Sequence, residues 1–171
     1  MKHIYLIGFM GSGKSTVAKL LAKKLNIRHL DLDKLIEKKL NKQITSIFKD
    51  EGEETFRSYE STYLKSIGIT PVISTGGGIV EKEENIRWMK DTGIIIYLKT
   101  SFHIINKRLQ NDSSRPLWRE NEANTALFLR RIEIYEKCAD YIIDCDTLSL
   151  DGIIDEIIKI YEYKGNLDGE K

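Results

Sequence analysis

The stretch GFMGSGKST occupies residues 8–16 and comes directly after the short apolar run HIYLI at residues 3–7. It matches the pattern G-x-x-x-x-G-K-[ST], with the defining positions at Gly8, Gly13, Lys14 and Ser15. The run before it is typical of a buried strand, and the residues after it have the apolar spacing of an amphipathic helix. The alternative is a glycine turn in front of a capped helix, and the order of strand, motif and helix argues against it.

The motif predicts a site for a nucleoside triphosphate with magnesium. Its glycines let successive backbone N–H groups converge on phosphate oxygens, and the helix N-terminus adds partial positive charge. Lys14 is placed to reach the β- and γ-phosphates, and Ser15 is placed to bind Mg²⁺. We expect nucleotide contacts from Gly11, Ser12, Gly13, Lys14, Ser15 and Thr16.

Size and composition are typical of one domain with a core of its own. The chain has 171 residues, of which 41% are hydrophobic. Its 27 basic and 26 acidic residues give a net charge of +1, which excludes a general attraction to nucleic acid or to an anionic membrane. Two cysteines without a CxxC spacing indicate a reduced, cytoplasmic interior, and we interpret Cys138 and Cys145 as core residues. No apolar segment approaches the roughly 20 residues of a membrane helix.

Short apolar runs alternate with helical patterns along the chain, which predicts an α/β fold with a parallel sheet covered on both faces. The strand candidates are residues 3–7, 29–33, 71–75, 93–98 and 141–145. Ligands of such sheets bind at the carboxyl ends of the strands. Two segments interrupt the alternation, and we expect a substrate-binding region at 34–68 and a lid at 110–124. We expect the domain to span 1–164, followed by a flexible tail at 165–171.

Missing motifs argue against a regulatory GTPase. The chain has no DxxG sequence, and its two NK pairs continue as NKQI and NKRL without the aspartate that reads guanine. A small-molecule kinase remains, whose acceptor site should be visible in polar residues near the strand ends.

The run HLDLD at residues 29–33 places Asp31 and Asp33 two residues apart. On an extended segment their carboxylates point to one face, with Leu30 and Leu32 on the other. One carboxylate can then hold magnesium or its water shell, and the other can accept a hydrogen bond from a substrate hydroxyl. Asp33 is equally suited to be the N-cap of the following helix, and the residues leave both interpretations open.

The segment TFRSYES at residues 55–61 carries Arg57 beside an apolar helical stripe, with Glu60 one turn further on. Glu60 is suitably placed to orient the guanidinium group. The alternative is an ordinary exposed ion pair, which contributes little to stability.

Three consecutive glycines follow the strand candidate PVIST, and they expose backbone N–H groups to close approach by a ligand. We therefore expect ligand contacts from Gly76, Gly77 and Gly78. Arg131 lies on a helix whose neighbouring face is apolar, and Arg115 precedes a proline in the predicted lid. Single arginines are usually surface residues. Together with the glycines, however, Arg57 and Arg131 would bind a carboxylate, so the predicted acceptor is a small hydroxylated acid.

In this order the motifs resemble the shikimate kinase family over almost the whole chain. The resemblance is carried by GFMGSGKST, Asp31 with Asp33, Phe56 to Glu60, the glycines 76–78, RPL at 115–117, and Arg131 to Tyr135. It implies a three-layer P-loop kinase fold with a five-stranded parallel sheet of order 2-3-1-4-5. The implied activity is transfer of the ATP γ-phosphoryl group to the 3-hydroxyl of shikimate, in aromatic amino acid biosynthesis.

The resemblance also implies roles for individual residues, with ATP and shikimate as the ligands. We expect the protein to be a monomer. It assigns shikimate to Asp33, Arg57, Gly78 and Arg131, the phosphates to Lys14 and Arg115, magnesium to Ser15 and Asp31, and adenine to Arg108. Among these residues, we expect the catalytic ones to be Lys14, Asp33 and Arg115.

One departure concerns the family pattern R-x-P-x-Y, which reads RIEIY here, with Glu133 in place of proline. Arg131 stays in register, but the bend of its helix is in question, and the neighbouring Arg130 can in principle substitute for it. The functional alternatives are another small-molecule kinase, of the gluconate or nucleotide type, and a non-catalytic P-loop module.

Overall fold

A computed structural model describes residues 3–68, 72–110 and 121–169, with the backbone alone for 164–169. Within these ranges the chain forms five strands and eight α-helices. The strands are β1 (His3–Ile7), β2 (His29–Asp31), β3 (Val72–Ser74), β4 (Gly93–Lys99) and β5 (Tyr141–Asp144). The helices are α1 (Lys14–Leu25), α2 (Leu32–Leu40), α3 (Ile44–Glu51), α4 (Glu53–Lys65), α5 (Glu83–Thr92), α6 (Phe102–Gln110), α7 (Glu122–Cys138) and α8 (Leu150–Gly169). A short 3-10 helix, Ile79–Glu81, follows β3.

The five strands form one parallel sheet of order β2-β3-β1-β4-β5, which confirms the predicted fold. Strand β1 is central, and its Tyr5 pairs with Ile73 of β3 on one side and with Ile95 of β4 on the other. A parallel sheet needs a crossover between successive strands, and the helices that supply these crossovers cover both faces.

Alternate residues of β1 belong to two separate hydrophobic clusters, one on each face of the sheet. Tyr5 and Ile7 pack with residues of α2 to α7, whereas Ile4 and Leu6 pack with residues of α1 and α8. These clusters are the two interfaces of a three-layer fold. The cysteines are buried, as predicted, with Cys138 in the first cluster and Cys145 in the second.

The carboxyl ends of the three adjacent strands β2, β3 and β1 lie side by side. In the register of the sheet, Ser74 is opposite Leu6 on one side and Asp31 on the other. The loops after these strands, which carry the phosphate-binding motif, the aspartates and the glycines, therefore meet at one edge of the sheet.

In two segments, the expected tail and the expected lid, helices extend further than the sequence predicts. Helix α8 continues to Gly169, so residues 165–169 of the expected tail are helical. A single glycine at 165 lowers helix stability by about 1 kcal/mol without ending the helix. Asn121 caps α7 by accepting from the Asn124 N–H at 2.8 Å, so the end of the predicted lid is helical. The rest of the lid, with Arg115, lies outside the described residues. Among the residues that are described, no helix is both long and apolar enough to cross a membrane.

Candidate active site

The phosphate-binding loop closes around its lysine. Gly8 and Gly13 have positive φ angles of 148° and 94°, which disfavour any residue with a side chain. The Lys14 ammonium is buried and donates to the carbonyl oxygens of Gly8 at 2.8 Å and Phe9 at 2.9 Å. These contacts hold a positive charge within the turn that leads into α1.

Asp31, and not Asp33, caps helix α2. The Asp31 Oδ1 atom accepts from the Lys34 N–H at 3.2 Å, while Oδ2 accepts from the hydroxyls of Ser15 at 2.6 Å and Ser74 at 3.1 Å. Since the cap supplies the acceptor that the first helical turn needs, the helix begins at Leu32, directly after the strand. The prediction of an extended segment through Asp33 is therefore wrong, and so is the prediction of Asp33 as the cap.

Glu60 and Glu53 hold the Arg57 guanidinium from two sides. Arg57 Nη1 donates to Glu60 Oε2 at 2.5 Å, and Nη2 donates to Glu53 Oε1 at 3.0 Å. The side chain of Glu60 is fully buried, and that of Arg57 is 12% exposed. The guanidinium also lies 5.3 Å from the centre of the Phe56 ring. The predicted contact between Glu60 and the Arg57 guanidinium is observed, and the alternative of an exposed ion pair is excluded.

Burial and the ion pair together set the pKa values of Glu60 and Arg57. Burial raises the pKa of Glu60 to about 7, with Arg57 opposing this rise and Asp33 adding to it. Burial alone would lower the pKa of Arg57, but Glu60 and Glu53 outweigh this effect, so its pKa is raised. Arg57 therefore stays charged, while Glu60 titrates near neutral pH.

Side chains of α2 and α4 approach two of the three consecutive glycines closely. A Cβ atom on Gly76 would lie 2.8 Å from both Asp33 Oδ1 and Glu60 Oε1, and one on Gly78 would collide with the Arg57 guanidinium. Gly77 has only ordinary van der Waals neighbours, and its carbonyl accepts a hydrogen bond from the Tyr135 hydroxyl. The glycine loop thus packs directly on the polar groups of α2 and α4.

Helix α7 directs Arg131 into the site. The Arg131 side chain is 5% exposed, its Nε donates to Glu81 Oε1 at 2.7 Å, and its guanidinium lies 5.9 Å from the centre of the Phe9 ring. Arg130 is 62% exposed, so Arg131 and not its neighbour reaches the interior. Glu133 is exposed within a continuous helix, so the absence of the family proline leaves Arg131 in place.

One cleft joins the phosphate-binding loop to these acidic and basic residues. It is lined by Met10, Gly11, Gly13, Lys14, Ser15, Thr16, Asp31, Asp33, Ile44, Phe48, Phe56, Arg57, Glu60, Thr75, Gly76, Gly77, Gly78 and Arg131. Two predicted residues do not line it. The Ser12 hydroxyl is buried 3.5 Å from the Lys14 ammonium, and Arg108 donates from outside the cleft to the Gly11 carbonyl at 3.0 Å.

The sequence did not point to the apolar side of the cleft, which consists of Ile44, Phe48 and Phe56. A signal was present in α3, where Ile44, Ile47 and Phe48 follow helical spacing. Ile47 is fully buried, which leaves Ile44 and Phe48 beside the cleft. Glu81 gave no signal, because its contact with Arg131 joins residues 50 positions apart.

A parallel sheet with a phosphate-binding loop after its central strand, and a cleft joining that loop to an aspartate and two arginines, define an ATP-dependent kinase of the P-loop class. The family model for shikimate kinase matches residues 10–162. The chain therefore belongs to the shikimate kinase family.

Individual relatives agree over nearly the full length. The shikimate kinase of Bacillus cereus (strain AH187) is 42% identical over 161 residues, which cover 92% of this chain and 96% of the relative. That of Thermodesulfovibrio yellowstonii is 43% identical over 173 residues, covering 97% and 98%. The solved shikimate kinase from Acinetobacter baumannii in complex with shikimate superposes with a TM-score of 0.87 at 33% identity, covering 96% of this chain and 94% of the other. The predicted family and the prediction of a kinase are confirmed.

Proposed function

We propose that this enzyme transfers the γ-phosphoryl group of ATP to the 3-hydroxyl of shikimate, giving shikimate 3-phosphate and ADP. The observation that carries the proposal is the single cleft, in which the phosphate-binding Lys14 and the acceptor candidates Asp33, Arg57 and Arg131 are neighbours. Phosphoryl transfer depends mainly on positioning and on neutralising charge, and this arrangement supplies both.

The acceptor candidates match a carboxylated polyol ring. Arg57 and Arg131 are both held by acidic partners, so each presents a fixed guanidinium to a carboxylate. Asp33 is placed to accept a hydrogen bond from a ring hydroxyl, and the N–H groups of the glycine loop add donors. Phe48 and Phe56 offer apolar contact to the ring. This combination favours a small hydroxylated acid over a nucleotide, whose phosphate and base need other partners.

The nucleotide candidates surround the start of α1. Lys14 carries the charge for the β- and γ-phosphates, and Gly11, Gly13, Ser15 and Thr16 border the same side of the cleft. We assign adenine contact to Arg108, which is fixed to the loop by its bond to the Gly11 carbonyl. Arg115 is proposed as a further phosphate contact from the family pattern alone, since it lies outside the described residues.

Ser15 and Asp31 fit a magnesium ion. Their oxygens are 2.6 Å apart, and both belong to the hard ligands that Mg²⁺ prefers. Within the described residues, no group of three or more His, Cys, Asp or Glu side chains is suited to a metal. A site with few protein ligands suits Mg²⁺, which keeps waters and binds substrate phosphates. When bound, the ion would neutralise charge on the phosphates.

Asp33 is the proposed partner of the reacting hydroxyl. Its carboxylate can orient the 3-hydroxyl for in-line attack, and it can also accept the hydroxyl proton as transfer proceeds. Glu60 lies beside it, as both carboxylates approach Gly76. Glu60 is fully buried and Asp33 is partly buried, which limits access of water that would otherwise compete as acceptor.

ADP formation in a coupled assay with a panel of acceptors tests the proposal. Shikimate should support turnover, whereas gluconate and nucleoside monophosphates should not, and Lys14→Ala should abolish turnover because it removes the phosphate-binding charge. Turnover with gluconate or a nucleotide but not with shikimate would refute the proposed acceptor.

We also propose that the enzyme acts as a monomer, since residues of one chain line the cleft on both its nucleotide side and its acceptor side. Sedimentation velocity under turnover conditions should show a single species with the mass of one chain, 19.8 kDa. A dimer whose dissociation abolishes activity would contradict this.

A further inference from the structure

Glu81 is a partly buried carboxylate next to the cleft that binds two arginines at once. Its Oε1 atom accepts from Arg131 Nε at 2.7 Å and from Arg130 Nη2 at 2.8 Å. Burial would raise the pKa of Glu81, but the two arginines outweigh burial and lower it. Glu81 is therefore a charged partner of Arg131 at neutral pH.

We propose that Glu81 is a positioning residue that fixes the direction of Arg131 toward the acceptor carboxylate. This inference rests on the proposed function, because it concerns the shikimate side of the same site. The bond uses Nε of Arg131, which leaves the two terminal amino groups of the guanidinium to donate to a ligand. The ring of Phe9 is its neighbour at 5.9 Å, and a ring face supplies much weaker orientation than a carboxylate.

The backbone around Glu81 is itself fixed to the glycine loop. The Glu81 N–H donates to the Gly78 carbonyl at 3.0 Å, and Ile79 and Val80 between them are buried. The same short turn thus sets Gly78 against Arg57 and Glu81 against Arg131. The spacing of the two arginines that face the acceptor depends on this turn.

Helix α7 is held in place by contacts that do not involve Glu81. Tyr135, one turn after Arg131 on α7, is bonded to the Gly77 carbonyl and is fully buried. Loss of the Glu81 carboxylate therefore leaves α7 attached to the glycine loop and removes the orientation of Arg131. The exposed bond from Arg130 to Glu81 is a surface ion pair, which contributes little.

The test compares Glu81→Ala and Glu81→Gln with Glu83→Gln, which removes the charge of an exposed glutamate paired with Arg87. We expect Glu81→Ala to raise the KM for shikimate, and its Kd by calorimetry, by about tenfold or more, the size expected for loss of one charge-assisted hydrogen bond. The KM for ATP should stay within about twofold. Glu81→Gln keeps an oxygen acceptor, so its effect should be smaller, and Glu83→Gln should change neither constant.

An unchanged shikimate KM in Glu81→Ala would overturn the proposal, and so would an equal rise in both KM values. A lower melting temperature with unchanged KM would assign Glu81 a purely structural role, which also overturns it. Absence of shikimate-dependent ADP formation in the parent enzyme would refute the proposed function instead. The shikimate Kd of the parent and of Glu81→Ala, measured without ATP, tests the positioning role separately.

Discussion

The buried Glu60 carboxyl should make the folded protein less stable as pH rises. Its pKa is about 7 in the folded protein, against an ordinary value of 4.5, because burial disfavours the ionised form. A pKa raised by folding contributes stability that is complete below the unfolded value and is lost as pH rises through the folded value. At about 1.4 kcal/mol per pKa unit, the difference amounts to about 3 kcal/mol of unfolding free energy.

Glu60→Gln isolates this contribution because glutamine has the shape of the protonated acid and does not titrate. Near about pH 4.5, parent and variant should have similar unfolding free energies, whereas at about pH 8 the variant should be more stable by about 3 kcal/mol. Urea unfolding at a series of pH values measures both curves, and subtracting them cancels the titrating groups that do not interact with Glu60. Glu53→Gln is the matched control. Its carboxylate is 63% exposed and binds the same arginine, so it should leave the pH dependence of the parent unchanged.

A constant difference between Glu60→Gln and the parent across this pH range would refute the reasoning, because it would mean that folding does not raise the pKa of Glu60. Glu60→Gln should also bind the acceptor more weakly, because the ionised Glu60 orients Arg57. The variant would then gain stability and lose activity.

Three further predictions concern the acceptor side and its helix. Asp33→Asn should lower turnover by about 10² or more if proton removal contributes, and a fully active variant would exclude that role. Arg57→Ala should raise the shikimate KM by about tenfold or more and leave the ATP KM unchanged, with the exposed Arg87→Ala as control; equal loss of both substrates would contradict the assignment. Glu133→Pro should lower the unfolding free energy by about 3 kcal/mol relative to Glu133→Ala, because it breaks a continuous helix, and equal urea midpoints for the two variants would contradict that geometry.

Local patterns made the sheet and the phosphate-binding loop predictable. The strand expected at residues 93–98 is observed as Gly93–Lys99, and the run at 3–7 is a strand without change. Both are continuous apolar runs buried on two faces, so the requirement for burial is visible in the sequence itself. The loop is predictable for a related reason, since phosphate binding needs particular residues at fixed spacing within one short segment.

The turn after β2 was not predictable in the same way. HLDLD alternates as a strand should, yet the helix begins at Leu32 because Asp31 caps it and the Leu32 side chain is fully buried in the core. Both causes depend on where the rest of the protein lies. The hydroxyl of Ser74, 43 residues away in sequence, completes the fixation of Asp31. The contacts that position this site join residues that are distant in sequence, so they produce no periodic pattern in the sequence.

What an arginine–glutamate pair contributes depends on where the fold places it, even when the pair itself is predicted correctly. Arg57 with Glu60 and Arg87 with Glu83 are both arginine–glutamate pairs one helical turn apart, and sequence spacing treats them alike. In the folded chain the second pair is exposed at 72% and 74%, where solvent reduces its value to a few tenths of a kcal/mol. In the first pair the acid is fully buried against the glycine loop, where burial raises the pKa of Glu60 and the ion pair holds the Arg57 guanidinium in place. The glycines at 76 and 78 make this difference possible, because any side chain there would occupy the space of the Glu60 carboxylate and the Arg57 guanidinium.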